Sequence, residues 1–127
     1  MNETLLSQQL ALTAQISADL HHSAVAYKEY LEGGKTFAFA QVLRLYNDRL
    51  LDLLLQKGHL LEGSLQKDAH ALIAHYNAWT AKWEALRKHL DPAPGDEFIF
   101  QNEITFPRQA AVNLEQEYQR LQKLEVT

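Results

Sequence analysis

A run of apolar residues in the middle of the chain is spaced in alternating steps of four and three. In an α-helix this spacing places the side chains along one face, which is typical of a long helix packed lengthwise against other helices, rather than of a strand or loop. The run therefore predicts a bundle helix ending at Leu90. Its members are Leu65, Ala69, Leu72, Tyr76, Trp79, Trp83, Leu86 and Leu90.

The first thirty residues repeat this spacing from about Glu3 to Glu32, and Gly33 and Gly34 then provide a stop signal. Two members of the repeat, Thr13 and Ser17, are polar, and we expect their hydroxyls to bond to the preceding helical turn. The predicted inward face of this helix consists of Leu6, Leu10, Thr13, Ser17, Leu20, Ala24, Tyr27 and Leu31.

Two further helices are predicted from their terminal residues. The second helix runs from the N-cap Thr36 to Lys57, and Gly58 supplies a left-handed position at its end. The last helix starts near Pro107, because proline is favoured in a first turn. Its inward face consists of Ala111, Leu114, Tyr118 and Leu121. Together the four helices predict one all-α domain of 127 residues, an up-down-up-down four-helix bundle.

The connection between the third and fourth helices, Asp91 to Phe106, is long, acidic and aromatic. Bundle connections usually have about two to eight residues, so this length indicates a crossover or a functional loop. The segment contains four carboxylates and neither Lys nor Arg. We expect its surplus of apolar residues to form a surface that binds a basic-rimmed groove on a partner, and we expect alanine at Phe98 and Phe100 to leave the fold intact. The predicted partner-binding residues are Phe98, Ile99, Phe100, Phe106, Asp96 and Glu97.

The second half of helix two is apolar around much more than the roughly 100° arc of a surface helix. This width indicates either a central helix or a contact between subunits. Burial within the monomer is ordinary for an inner helix, and a homodimer remains open. The residues predicted for a subunit interface are Leu50, Leu51 and Leu54.

Composition narrows the classes of partner and of chemistry. The net charge is −4 and no basic cluster stands out, so we expect no nucleic acid as the main partner. The chain has no cysteine, which excludes disulfides, thiolate nucleophiles and sulfur-bound metals. It shows neither a signal peptide nor the roughly 18 continuous apolar residues that span a bilayer. We therefore expect a cytoplasmic protein without a membrane partner.

No catalytic, metal or nucleotide motif is complete. Gly33 to Thr36 copies the end of a phosphate-binding loop, but Glu29 occupies the position of an essential glycine. The six histidines lack the Glu-x-x-His pairs of di-metal bundles, so we expect no metal and no cofactor, and we place the histidines at the surface or rim. We assign Tyr76, Trp79 and Trp83 to the core rather than to a ligand pocket.

The segment Asp68-Ala69-His70-Ala71-Leu72 resembles the phosphorylation site of histidine phosphotransfer domains, which are small helical bundles. The resemblance implies that His70 is exposed and carries phosphate. It covers about five residues. Ile73 and Ala74 replace the lysine and glycine that this family places after its histidine, and the lysine would steady the phosphoryl group.

The sequence as a whole predicts a non-enzymatic protein that binds another protein. A small bacterial regulator, inhibitor, adaptor or assembly subunit fits this description. Phosphotransfer through His70 is one alternative, and a ligand- or metal-binding bundle is another.

Overall fold

The computed structural model describes residues 2–126, and the side chains of residues 4–124. This part of the chain contains four α-helices and no strand, which confirms the predicted all-α bundle. Two short 3-10 turns, Gly58–Leu60 and Gly63–Leu65, connect the second helix to the third. The helices are α1 (Asn2–Glu32), α2 (Phe37–Lys57), α3 (Gln66–Leu90) and α4 (Arg108–Val126).

The helices form a ring in chain order, because α1 and α3 each pack against both α2 and α4. Short connections make α1, α2 and α3 successively antiparallel. Phe106, just before α4, contacts His75, and Asn113 within α4 donates to Asp68 near the start of α3, so α4 runs antiparallel to α3. We call the end that holds the α1–α2 turn the upper end, and the end that holds the α2–α3 connection the lower end.

The buried core has an upper and a lower apolar part. The lower part contains Ile16, Leu50, Leu54, Leu72 and Leu114 among others, and therefore draws on all four helices. Aromatic side chains dominate the upper part, where Phe37 and Trp83 lie with their ring centroids 5.6 Å apart. The assignment of Tyr76 and Trp83 to the core is confirmed, and Trp79 packs against the upper part while half-buried.

A layer of polar side chains is buried between α1, α2 and α3. The Ser23 hydroxyl donates to Oδ1 of Asn47, and the Tyr76 hydroxyl is hydrogen-bonded to Ser23. Asp19 is also buried, and desolvation raises the pKa of its carboxyl, although Arg49 and His22 act in the opposite direction. Since a buried polar group is tolerated when it finds partners, these residues occupy positions that apolar side chains would otherwise take.

The predicted inward face of α1 is confirmed at Thr13, which is fully buried, but the other buried residues lie one position away from the predicted ones, a rotation of about 100°. The buried residues follow the same four-three spacing, but Tyr27 and Leu31 are 51% and 43% exposed. Two of the inward positions, Asp19 and Ser23, are polar, and a search for apolar periodicity does not find them. The inward face is formed by Leu12, Ile16, Asp19, Ser23, Ala26 and Tyr30.

The hydroxyls in the lower half of α1 differ in what they bind. Thr13 bonds back to the carbonyl of Gln9, 2.9 Å away, as predicted. Ser17 instead donates to the carboxylate of Glu115, and so links α1 to α4. On α4 the buried residues include Leu114 and Leu121 as predicted, but Ala110 is more buried than Ala111.

The leucine band of α2 lies inside the monomer, so the predicted subunit interface was wrong. Leu50 and Leu54 are fully buried in the lower part of the core, and Leu51 packs against it. The band is wide because α2 contacts both α1 and α3. Among the leucines of this band, only Leu55 points outward, with 58% of its surface exposed.

The ends of α2 also differ from the prediction. Gly58 has a right-handed φ of −57° and starts a 3-10 turn, so it is not left-handed. At the other end Thr36 is the N-cap residue, but its side chain makes no capping bond. The N–H groups of Phe37 and Ala38 donate instead to the carbonyls of Asp96 and Pro94, at 2.8 and 2.9 Å. The connection between α3 and α4 therefore caps α2.

We call that connection, residues 91–107, the strap. It crosses the upper end of the bundle and then returns along α3. Phe98 contacts Trp83, Phe100 contacts Trp79, and Asn102 donates to the backbone carbonyl of His75, so each step down the strap is a step back along α3. Helix α4 begins only after this descent. In the upper half of the bundle the strap takes the place of a fourth helix.

Candidate functional site

The side of α1 that faces the strap and the first turns of α4 carries two hollows with no lining residue in common. The lower hollow has a volume of about 700 Å³, and Leu20, Phe106 and Val112 are among its lining residues. The upper hollow, of about 100 Å³, is lined by Leu31 and Ile99 and also by residues of α2 and α3, among them Leu43 and Trp79. We call these two hollows and the α1 surface between them the α1–strap groove. The groove exists because an extended chain is thinner than a helix.

The wall formed by α1 carries the apolar row that the sequence predicted to face inward. Helix α4 covers the lower part of this row, where Ser17 bonds to Glu115. Above Leu20, α4 has not yet begun, and Ala24, Tyr27 and Leu31 are exposed. From Leu20 to Leu31 the row extends for about 17 Å. Its residues retain the spacing of helix–helix packing.

The strap wall alternates between buried and exposed residues. Phe98 is fully buried, and its ring centroid lies 5.1 Å from that of Phe37 and 5.2 Å from that of Trp83. Its neighbour Ile99 is 51% exposed and lines the upper hollow, while Phe100 is half-buried against Trp79. An extended chain points successive side chains in opposite directions, which accounts for this alternation.

The structure therefore places the predicted partner-binding residues in different environments. The assignment of Phe98 to a partner-binding surface was wrong, because its side chain lies in the upper core and its backbone bonds to Lys35 and Tyr30. Ile99, Phe100 and Phe106 line the groove. Asp96 and Glu97 are exposed beside it; the Asp96 carboxylate accepts the N–H of Ala93 at 2.8 Å.

Sequence reasoning missed the residues that α1 and α4 contribute to the groove. Tyr27 and Leu31 were assigned to the core, and Val112 was not singled out. The available signal was the mismatch in helix length, since α1 has 31 residues and α4 has 19. A row of packing residues as long as α1 has no equally long partner on that side.

His75 of α3 holds the last third of the strap, residues 102–106. Its Nδ1–H donates to the carbonyl of Ile104 at 2.9 Å, and Asn102 Nδ2 donates to the backbone carbonyl of His75 at 3.1 Å. The imidazole also meets the ring of Phe106 edge-on, with centroids 5.3 Å apart. Its placement at the surface or rim was wrong, because these contacts bury it.

The buried position of His75 predicts that stability depends on pH. Burial lowers the pKa of His75 below 6.5, against a smaller opposing effect of the Ile104 and Thr105 carbonyls. The unfolded chain therefore binds a proton before the folded chain does. The contribution of His75 to stability is complete above pH 6.5 and is lost as the pH falls toward the lowered pKa, with a slope of at most about 1.4 kcal/mol per pH unit.

Urea unfolding between about pH 7.5 and pH 5 checks this prediction in wild type and His75→Gln. The variant should show a flatter dependence on pH. Asp19 titrates in both proteins, so the difference between them isolates His75. His70→Gln, at an exposed position of the same helix, is the control and should follow wild type. Equal slopes in wild type and His75→Gln would contradict the assignment.

Side chains that suggest chemistry lie at several places in residues 2–126. Ser17, His21 and Glu115 line the lower hollow together, and the Ser17 hydroxyl donates to the Glu115 carboxylate. Within residues 2–126, no three His, Asp or Glu side chains lie together as metal ligands. His70 is exposed, as the resemblance to phosphotransfer domains requires, and phosphate transfer through it stays a prediction.

Comparisons of the chain with protein-family models, with curated proteins and with solved structures found no match. None of the helices in the described residues combines the length and hydropathy needed to cross a bilayer. The geometry of the α1–strap groove is therefore the basis for a functional proposal.

Proposed function

We propose that this protein is a non-enzymatic binding module that accepts a helix of another protein in the α1–strap groove. One observation carries the proposal. The upper part of α1 presents a row of apolar residues with helix-packing spacing, and its members Ala24, Tyr27 and Leu31 are exposed. An apolar surface that the monomer does not cover is typical of an interaction site.

The shape of the groove favours a helix over other occupants. The groove begins beside the first turns of α4, where Val112 and Phe106 are partly exposed, and continues upward along α1. A bound helix would extend the line of α4 and give the upper half four helices. Amphipathic helices bind such grooves through residues one turn apart, which matches the four-three row.

The buried titratable groups Asp19 and His75 take no part in the groove. His75 has a packing role, since it fastens the strap to α3.

A paired substitution tests the proposal. Tyr27→Asp with Leu31→Asp places two carboxylates on the α1 wall, and we expect binding of the natural partner to weaken by at least about tenfold. Val42→Asp with Leu45→Asp is the matched control, because these residues are 44% and 58% exposed on α2 and do not line the groove. Both variants should retain the free energy of unfolding of wild type within about 0.5 kcal/mol, measured by urea denaturation.

The measurement is capture from the native cell with three baits, followed by titration of the recovered protein against each bait. A partner held by wild type and by the α2 control, and lost by the groove variant, supports the proposal. A partner that all three baits hold equally would contradict it.

A further inference from the structure

We infer that the helix accepted by the α1–strap groove is amphipathic, with a basic polar face. This inference rests on the proposed function of the groove and specifies the chemistry of its partner. It follows from the charges that flank the exposed apolar residues.

The outward side of the strap is acidic. The inward residues Phe98 and Phe100 are buried and half-buried, and Asn102 is bound to His75, so alternation turns the intervening residues outward. Glu97, Ile99, Gln101 and Glu103 form this outward row, and all four are exposed. A helix that packs against Ile99 would have carboxylates on both sides of its contact with the strap.

Only part of this acidic charge is neutralised. Between positions 91 and 107 the chain has four carboxylates and neither Lys nor Arg. Glu103 pairs with Lys82 at 3.0 Å, where its side chain is 74% exposed. Within the described part of the chain, Glu97 forms no ion pair. In the lower hollow Glu115 adds a further carboxylate to the lining.

The opposite wall is closer to neutral. On α1, Lys28 pairs with Glu32 at 3.9 Å, and both side chains are largely exposed. Lys35 lies at the upper limit of the groove, where it lines the upper hollow. A helix in the groove would therefore meet a nearly balanced wall on α1 and an acidic wall on the strap. Charge complementarity at such a rim selects partners and speeds their association.

The same charges disfavour a second copy of this chain as the occupant. A copy with a net charge of −4 would bring its own acidic strap toward this one. Like charges at an interface act against association. The apolar row fits a helix with residues at i, i+4, i+7 and i+11, opposite Leu20, Ala24, Tyr27 and Leu31.

Three synthetic peptides of about 18 residues test the inference. They share one apolar face with this spacing and carry Lys, Gln or Glu at the remaining positions. Fluorescence anisotropy with the full chain measures their dissociation constants. We expect the Lys peptide to bind most tightly and the Glu peptide most weakly. We also expect added salt to weaken the binding of the Lys peptide.

Variants separate the charge effect from the apolar contact. Glu97→Gln with Glu103→Gln should lower the affinity for the Lys peptide about three- to tenfold and leave the affinity for the Gln peptide unchanged. Asp52→Lys changes the net charge by the same two units at an exposed α2 position outside the groove lining, and should change affinity less than about twofold. Tyr27→Asp with Leu31→Asp should abolish binding, although its added negative charge would strengthen a purely electrostatic contact.

The outcomes distinguish the inference from the function on which it rests. If the Gln or Glu peptide binds as tightly as the Lys peptide, and the Tyr27 and Leu31 substitutions abolish that binding, the basic partner is wrong and the helix-binding groove stands. If no peptide binds, or if binding survives those substitutions, the groove itself is wrong and the inference fails with it.

Discussion

Replacement of Phe98 by alanine is expected to lower the free energy of unfolding by about 3–5 kcal/mol, the usual cost of removing a buried phenylalanine ring. The side chain is fully buried, and it contacts Phe37, Trp83 and Phe100. The substitution leaves a cavity among rigid rings from three parts of the chain. We expect little collapse there, because the neighbouring aromatic side chains have few alternative packings.

The effect also tests how the strap is held. The backbone of Phe98 donates to the carbonyl of Lys35 at 2.9 Å, and its own carbonyl accepts the Tyr30 hydroxyl. Alanine retains both bonds, so the loss of stability reports on the ring alone. Urea unfolding followed by tryptophan fluorescence provides the measurement, since Trp83 lies against the ring.

Ile99→Ala is the matched control for Phe98→Ala. Ile99 is the adjacent residue of the same strap, and its side chain points out of the core. We expect a change within about 0.5 kcal/mol, as for ordinary surface positions. A Phe98→Ala protein as stable as wild type would restore the prediction that this ring belongs to a partner-binding surface.

Replacement of Leu50 by alanine is expected to cost about 2–5 kcal/mol. Leu50 has no exposed surface and packs in the lower part of the core. The loss should be the same at every protein concentration, because the contacts lie within one chain. A leucine at a subunit interface would behave differently, since the stability of a dimer depends on protomer concentration.

Leu55→Ala serves as the control for Leu50→Ala. The two leucines belong to the same apolar band of α2, but Leu55 is exposed. We expect a change within about 0.5 kcal/mol for Leu55→Ala. Chemical denaturation at protein concentrations about a hundredfold apart tests both variants. A midpoint for wild type that rises with concentration would restore the predicted homodimer interface.

Local features of the sequence predicted most of the fold. The third helix follows its apolar row, with Ala69, Leu72, Tyr76 and Trp83 buried as expected and only Leu90 at its end exposed. The start of α4 lies one residue after Pro107, and α2 ends at Lys57 as predicted. These features depend on periodicity, terminal glycines and proline, which act over a few residues and can be read without knowledge of the tertiary contacts.

The candidate site was harder to predict, because it depends on pairs of distant residues. Ile99, Phe100 and Phe106 were found from their apolar character in a long connection. Tyr27 and Leu31 were placed in the core, since nothing local distinguishes an apolar row that is covered from one that is not. His75 looked like any helical histidine until the strap supplied the carbonyl of Ile104 as its acceptor.

The sequence by itself determined four helices, their limits and the long acidic connection, because hydrophobic spacing and end signals are local. Only the tertiary structure decided which side of α1 is buried, since the polar pair Ser23 and Asn47 forms between helices. It also decided that Phe98 belongs to the core. The strap returns along α3 before α4 begins, and an extended chain in place of a helix leaves the upper apolar row of α1 exposed beside it.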